Sequence, residues 1–259
     1  MINLRNALAI ISISFLCLLA EKSKISPFES FFSETNLNQY FLEGMCVSFE
    51  STSVDCESMR VVTRCIDRES LPGASGSTCY SDGVCVLTLV KTEDTDDVLS
   101  YLPKLCDSNL SIEELNDIMR KIRELIKNGL KLNEHQIIEL IRILYVLAHE
   151  KQHCADRCRN PRMRSCESEL SATNADIAEM KKLAEDLRCY ERMGLRRCGQ
   201  ILHLLDISAA RLSFFECLCE NQSDCAVCVG ACKKACESAT QAPGMCANYC
   251  DRLPSHYCK

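Results

Sequence analysis

Apolar positions change their period several times along this chain of 259 residues, and each change marks a different kind of element. From Ile112 they fall at Leu115, Ile118, Met119, Ile122 and Ile126, the three-and-four spacing of one helical face. SIEE at 111–114 stands before it as a capping box, in which the Ser111 hydroxyl and the Glu114 carboxylate take up backbone amides that have no partner inside the helix. Asn128-Gly129 predicts its end. NEHQ at 133–136 is a second capping box. It opens a helix that runs through the apolar stretch IIELIRILYVLA into HEKQHC, and Pro161 in the basic loop RNPRMRS predicts the break. A third helix is expected from near Cys166 through ELSATNADIAEMKKLAEDLRC, and a fourth through ILHLLDISAARLSFFECLC, after the Gly194 and Gly199 region.

The flanks read differently. Residues 1–20, MINLRNALAIISISFLCLLA, carry one charge at Arg5 and then an unbroken run of apolar and small residues, which predicts a secretory leader cleaved after Ala20. Residues 21–45 are a mixed segment with paired phenylalanines, either docked on the core or a propeptide. Between 46 and 106, β-branched runs such as VVTRC and VCVLTLVK flank LPGASGSTCYSDG, predicting a small disulfide-tied strand pair with a Gly/Ser-rich connection. A helical region spans 107–216. From 217 to 259 the chain turns cysteine-rich: Cys228, Cys232 and Cys236 recur every fourth residue, as do Cys246 and Cys250, so short helices stapled face to face are expected.

The chain has 21 cysteines. Losing the leader with Cys17 leaves an even 20, which predicts up to ten disulfides and an oxidising, extracellular or periplasmic destination. CAVC at 225–228 has the C-x-x-C spacing, but without a βαβ context it reads as structural. The net charge of −6 becomes −7 without Arg5, and no basic run is present, so nucleic acid is not an expected partner. The most apolar later run, 137–148, is too short to span a bilayer and contains Glu139 and Arg142, so no transmembrane segment is expected in the mature chain. The fold class is therefore mainly α with a small β element, in a disulfide-rich secreted chain.

HEKQH at 149–153 fits H-E-x-x-H. On a helix, His149 and His153 lie one turn apart on one face and can share a metal ion, while Glu150 lies beside that ion, where a carboxylate can take a proton from water. With its apolar approach LYVLA, the motif resembles the zincin metallopeptidases over about residues 134–172. Asp156 and Arg159 stand where the metzincin branch has its glycine and third histidine. The gluzincin-like pattern fits better: in CESELSATNAD, Glu169 and Ala172 give E-x-x-A on the following helix. The resemblance implies Zn²⁺ held by His149, His153 and Glu169, Glu150 as general base, and hydrolysis of a protein or peptide substrate. Glu167 is the second choice of third ligand. Lys151 departs from the pattern, since its position is normally uncharged and packed.

The resemblance also implies a strand that pairs with extended substrate, and 84–91 is the expected one. Cys154 and Cys166 are the expected staple of the two site helices, with Cys158 an alternative to one of them. For an oxyanion-stabilising group, Tyr145 and Tyr190 are candidates, though packing is the commoner role for each. His203 reads as a satisfied core histidine and His135 as a first-turn residue. Asn109 and Asn221 head Asn-x-Ser sequons. The competing reading is a non-enzymatic secreted ligand, inhibitor or toxin-like effector whose cysteine lattice presents a binding face. It accounts for the cysteines and leaves HEKQH followed by ELSA unexplained.

Overall fold

The structure, a computed structural model, describes Cys56 and residues 59–70, 75–81, 84–129, 132–192, 195–220, 224–239 and 243–258. The expected leader, the segment 21–45, Cys46 and the Asn221 sequon lie outside these residues. The described chain is mostly helical with one four-stranded sheet, and it carries many disulfides, as its patterning predicts.

The strand region is more than a pair. Strands β1 (Arg60–Ile66), β2 (Gly76–Ser81), β3 (Val84–Val90) and β4 (Ser108–Ser111) form a sheet in the order β2-β3-β1-β4. β1 and β3 run parallel, and the two outer pairings are antiparallel. β4 was illegible because its four residues, SNLS, carry one apolar side chain, Leu110, and are recognised by β1 mainly through the backbone ladder. Exposed Asn109 lies on this strand.

Helix α1 (Thr95–Leu99) lies between β3 and β4, and α2 (Ile112–Asn128) begins where β4 ends. Both arms of the Ser111–Glu114 capping box form, and α2 stops at Gly129, whose positive φ of 52° is open to a residue without Cβ. α3 (Glu134–Arg159) opens on the second capping box, Asn133 with Gln136, and runs on through HEKQH. The two charges in its apolar stretch pair with each other. Arg142 donates to the buried Glu139 carboxylate at 2.7 and 2.8 Å and to the Val90 carbonyl at 2.9 Å, which fixes the front half of α3 against β3.

β3 is buried along nearly its whole length, and its Leu87 and Leu89 share one core with Leu140, Ile141, Leu144 and Leu147 of α3 and with the apolar face of α2. β2 approaches α3 closely at Gly76, where a Cβ would fall 2.4 Å from Val146 Cγ1 and 3.2 Å from a Glu150 carboxylate oxygen.

α4 (Ser165–Asp186) returns along α3 after the Pro161 loop, and α5 (Arg196–Glu220) packs on α4. The tail then folds as α6 (Cys225–Cys236), α7 (Pro243–Cys250) and α8 (Leu253–Tyr257). Its core is separate. Phe214 and Phe215 of α5 meet Tyr257 of α8 and a layer of half-cystines. Cys232–Cys250 and Cys236–Cys246 staple α6 to α7 at the four-residue interval expected of them.

The expected clamp between the site helices does not form. Cys154 bonds Cys85 of β3, Cys158 bonds Cys56, and Cys166 bonds Cys219 at the end of α5. Each site helix is therefore tied to a different neighbour. α3 is cross-linked to the sheet and α4 to α5, and α3 and α4 meet without a disulfide, through side-chain contacts and hydrogen bonds such as Gln152 to Ser171, while Ala172 of α4 is fully buried. The CAVC cysteines also bond apart, Cys225 to Cys258 and Cys228 to Cys217. Among the described residues, no helix is long and apolar enough to cross a membrane.

Candidate metal centre

His149 and His153 leave α3 from one face, at the end of its buried stretch, and their Nε2 atoms stand 3.1 Å apart. α4 brings Glu169 to the same point, with Oε2 3.5 Å from His149 Nε2 and Oε1 3.6 Å from His153 Nε2. A four-coordinate ion with bonds of about 2.0–2.1 Å sets its ligand atoms about 3.3 Å apart. The three side chains are thus close enough to face one ion, with each Glu169 oxygen turned to a different histidine. Among the described residues, this is the group of histidine, cysteine and acidic side chains that could hold a metal ion.

Glu167, the second candidate, turns away and closes a capping interaction with Arg164 at the surface. Lys151 departs harmlessly, because it lies on the far side of α3 and donates to Asn116 of α2 at 2.6 Å.

The ring nitrogens away from this point are also engaged. His149 Nδ1 meets Asp176 Oδ2 at 3.0 Å, and His153 Nδ1 meets Ser168 Oγ at 2.8 Å. A carboxylate only accepts, so in the neutral imidazole Asp176 fixes the His149 proton on Nδ1 and leaves the Nε2 lone pair aimed at the ligand point. Asp176 itself is fully buried. It follows Glu169 by seven residues, two helical turns, so ELSATNAD carried the signal for this second carboxylate on the same face.

Glu150 points to the sheet side. Its carboxylate accepts a short hydrogen bond from Thr78 Oγ1 of β2, which also reaches the Glu150 carbonyl at 3.2 Å. Burial raises the Glu150 pKa against the opposing pull of His149 and Thr78. Burial and the Arg211 charge disfavour protonated His149, but Asp176 and Glu169 prevail and raise its pKa to about 9. Burial lowers His153 to about 4. For Glu169, burial alone would raise the pKa, yet Arg211 and the two histidines drive it well below the usual carboxylate range. The cluster therefore keeps an ionised Glu169 carboxylate beside the two imidazoles.

Arg211 of α5 is the residue that the sequence did not single out. It donates from Nη2 to Glu169 Oε2 at 2.6 Å and to His149 Nε2 at 3.1 Å, and its guanidinium lies 5.5 Å from the centre of the Phe215 ring. A lone arginine inside the apolar run ISAARLSFF was the available signal.

Neither tyrosine candidate is among the three converging side chains. Tyr145 shares a hydrogen bond with Ser208 at 3.0 Å between α3 and α5, and Tyr190 is 57% exposed in the loop after α4. Tyr249 and Tyr257 of the cysteine-rich tail, like Tyr145, lie close enough for the Arg211 charge to act on them. His203 is half-buried on α5 with no partner at Nδ1, so it is not the satisfied core histidine expected, and His135 is exposed in the first turn of α3.

The expected substrate strand is corrected too. β3 (Val84–Val90) is hydrogen-bonded on both sides, by β2 and by β1, so it offers no free edge. Among the described residues β2 is the edge strand beside α3.

No family model, curated protein or solved structure matches this chain.

Proposed function

We propose that this chain is a secreted zinc-dependent endopeptidase. What carries the reading is the convergence of His149 Nε2, His153 Nε2 and the Glu169 carboxylate, contributed by two helices that no disulfide forces together. Two imidazoles and one carboxylate are the donor set of a catalytic zinc site with a position left for water, and the Asp176–His149 contact is the outer support such sites use. Bound zinc supplies a Lewis acid, which lowers the pKa of water and polarises a carbonyl.

The protein's own groups do the rest. Glu150, made more basic by burial and held by Thr78, accepts a proton from water at its carboxylate and returns it to the leaving amine. Asp176 keeps His149 in the tautomer that presents Nε2. β2, anchored to Glu150 through Thr78, offers its outer backbone edge to an extended peptide.

Elemental analysis of the oxidatively folded protein tests the reading. About one zinc per chain is expected, and His149→Ala and Glu169→Ala are expected to abolish it with the disulfides intact. A folded wild-type protein that takes up no zinc would leave the competing reading, a disulfide-framed interaction protein.

Asp176→Asn is a finer probe. Asn can present its amide hydrogen to His149 Nδ1 and select the wrong tautomer, so zinc affinity is expected to fall about 10–100-fold, read by chelator competition. An unchanged affinity would show that Asp176 is only a packing partner.

A further inference from the structure

Arg211 occupies ground that a metal needs. The Nε2 atom of a neutral imidazole has one lone pair, and the Arg211 Nη2 contact at 3.1 Å lies on the same nitrogen that the metal reading assigns as a ligand. Glu169 Oε2 has two lone pairs, so it can keep Arg211 at 2.6 Å and still serve a cation through its other sites. His149 cannot do both.

The surroundings contain a second place for the guanidinium. Asp176 Oδ1 is buried and has no hydrogen-bond partner, and neither has Arg211 Nε. These two unpaired atoms belong to side chains that nearly touch, with Arg211 Nη1 3.9 Å from Asp176 Oδ2. Each of these unmatched buried atoms carries a desolvation penalty that pairing the two side chains would remove. The Phe215 ring and Tyr257 flank the guanidinium, and α5 is pinned nearby by Cys217–Cys228 and Cys166–Cys219. The movement is thus one of side-chain torsions on a fixed helix.

We propose that Arg211 is a latch, standing in for the metal by holding His149 Nε2 and Glu169 in the metal-free chain, and crossing to Asp176 when a divalent cation takes His149. The proposal rests on the zinc reading above and deepens it. In the metal-free state the guanidinium supplies the positive charge that Glu169 needs in a buried site. In the loaded state it pairs with Asp176 Oδ1, and so braces the carboxylate that orients His149. Metal entry then competes with an internal cation, so the chain's affinity for zinc is set below what its three ligands alone would give.

The test is zinc affinity by chelator competition on the full folded chain, for wild type, R211M and R211Q, beside thermal melting of each metal-free protein. R211M is expected to bind zinc at least tenfold more tightly than wild type while its metal-free form melts at lower temperature. R211Q, which keeps a polar head without the charge, is expected to shift both in the same direction and decides the matter if R211M does not fold. Zinc binding to wild type that is equal to or tighter than in the folded variants overturns the latch and leaves the metal site standing. Zinc binding to none of the three, with folding shown by circular dichroism, overturns both.

Discussion

Glu150→Gln is expected to leave about one zinc per chain and lower the rate of peptide hydrolysis by about 10²–10⁴, the usual contribution of a positioned general base. The substitution keeps the shape of the side chain, and Thr78 Oγ1 can still donate to the amide oxygen, so α3 and β2 stay joined. It removes the one thing the reaction needs from this position, a group that accepts a proton and gives it back. The comparison that matters is with His153→Ala, which should lose activity and zinc together. Loss of hydrolysis in Glu150→Gln with zinc retained separates proton transfer from metal binding. If Glu150→Gln hydrolyses peptide as fast as wild type, the base is another group and the H-E-x-x-H reading loses its catalytic half.

Burial raises the Glu150 carboxyl above its ordinary value. Its ionised form is therefore reached at higher pH than for an exposed glutamate, and kcat/KM is expected to rise through this shifted pKa as pH increases. In folding terms, protonated Glu150 is the form favoured by burial, so this group's contribution to stability is present at low pH and lost as pH rises through the folded pKa.

The helices and their caps were legible because each depends on residues within a few positions of one another. Ser111 with Glu114, and Asn133 with Gln136, state their hydrogen bonds in the sequence, and the structure forms both. The His149–His153 pair is equally local, being one helical turn. Glu169 needed one further step, the assumption that the next helix returns, which the E-x-x-A spacing suggested and in which Ala172 is buried.

What remained hidden joins parts of the chain far apart in sequence. Arg211 reaches Glu169 across 42 residues, and Thr78 reaches Glu150 across 72. Cysteine spacing gave the local staples of the tail, where an interval of four equals a helical turn. It misassigned Cys154 and Cys166, because nearness in sequence is a poor guide when a half-cystine points at the sheet rather than along the loop.

That misassigned bond carries the largest stability prediction. Cys85–Cys154 closes 69 residues and joins the interior strand β3 to the residue after His153, with both half-cystines fully buried. Paired Cys85→Ala and Cys154→Ala are expected to lower unfolding stability by about 4 kcal/mol, from the loop-closure entropy returned to the unfolded chain. Most domains have only about 5–15 kcal/mol in total, so the urea midpoint should fall sharply.

The comparison is Cys189–Cys198, which closes nine residues outside the metal site and is expected to cost about 2.5 kcal/mol when both cysteines become alanine. The two variants should also part in their response to zinc. Freed from β3, the end of α3 no longer holds His153 in phase with Glu169, so zinc should stabilise the Cys85/Cys154 variant less than it stabilises the Cys189/Cys198 variant. Zinc at about a hundred times its dissociation constant adds about 2.7 kcal/mol to a site that is already formed. A full gain of that size in both variants would mean that packing against α4 alone keeps the site in shape. A smaller gain in the Cys85/Cys154 variant would mean that the cross-link to the sheet pre-organises it.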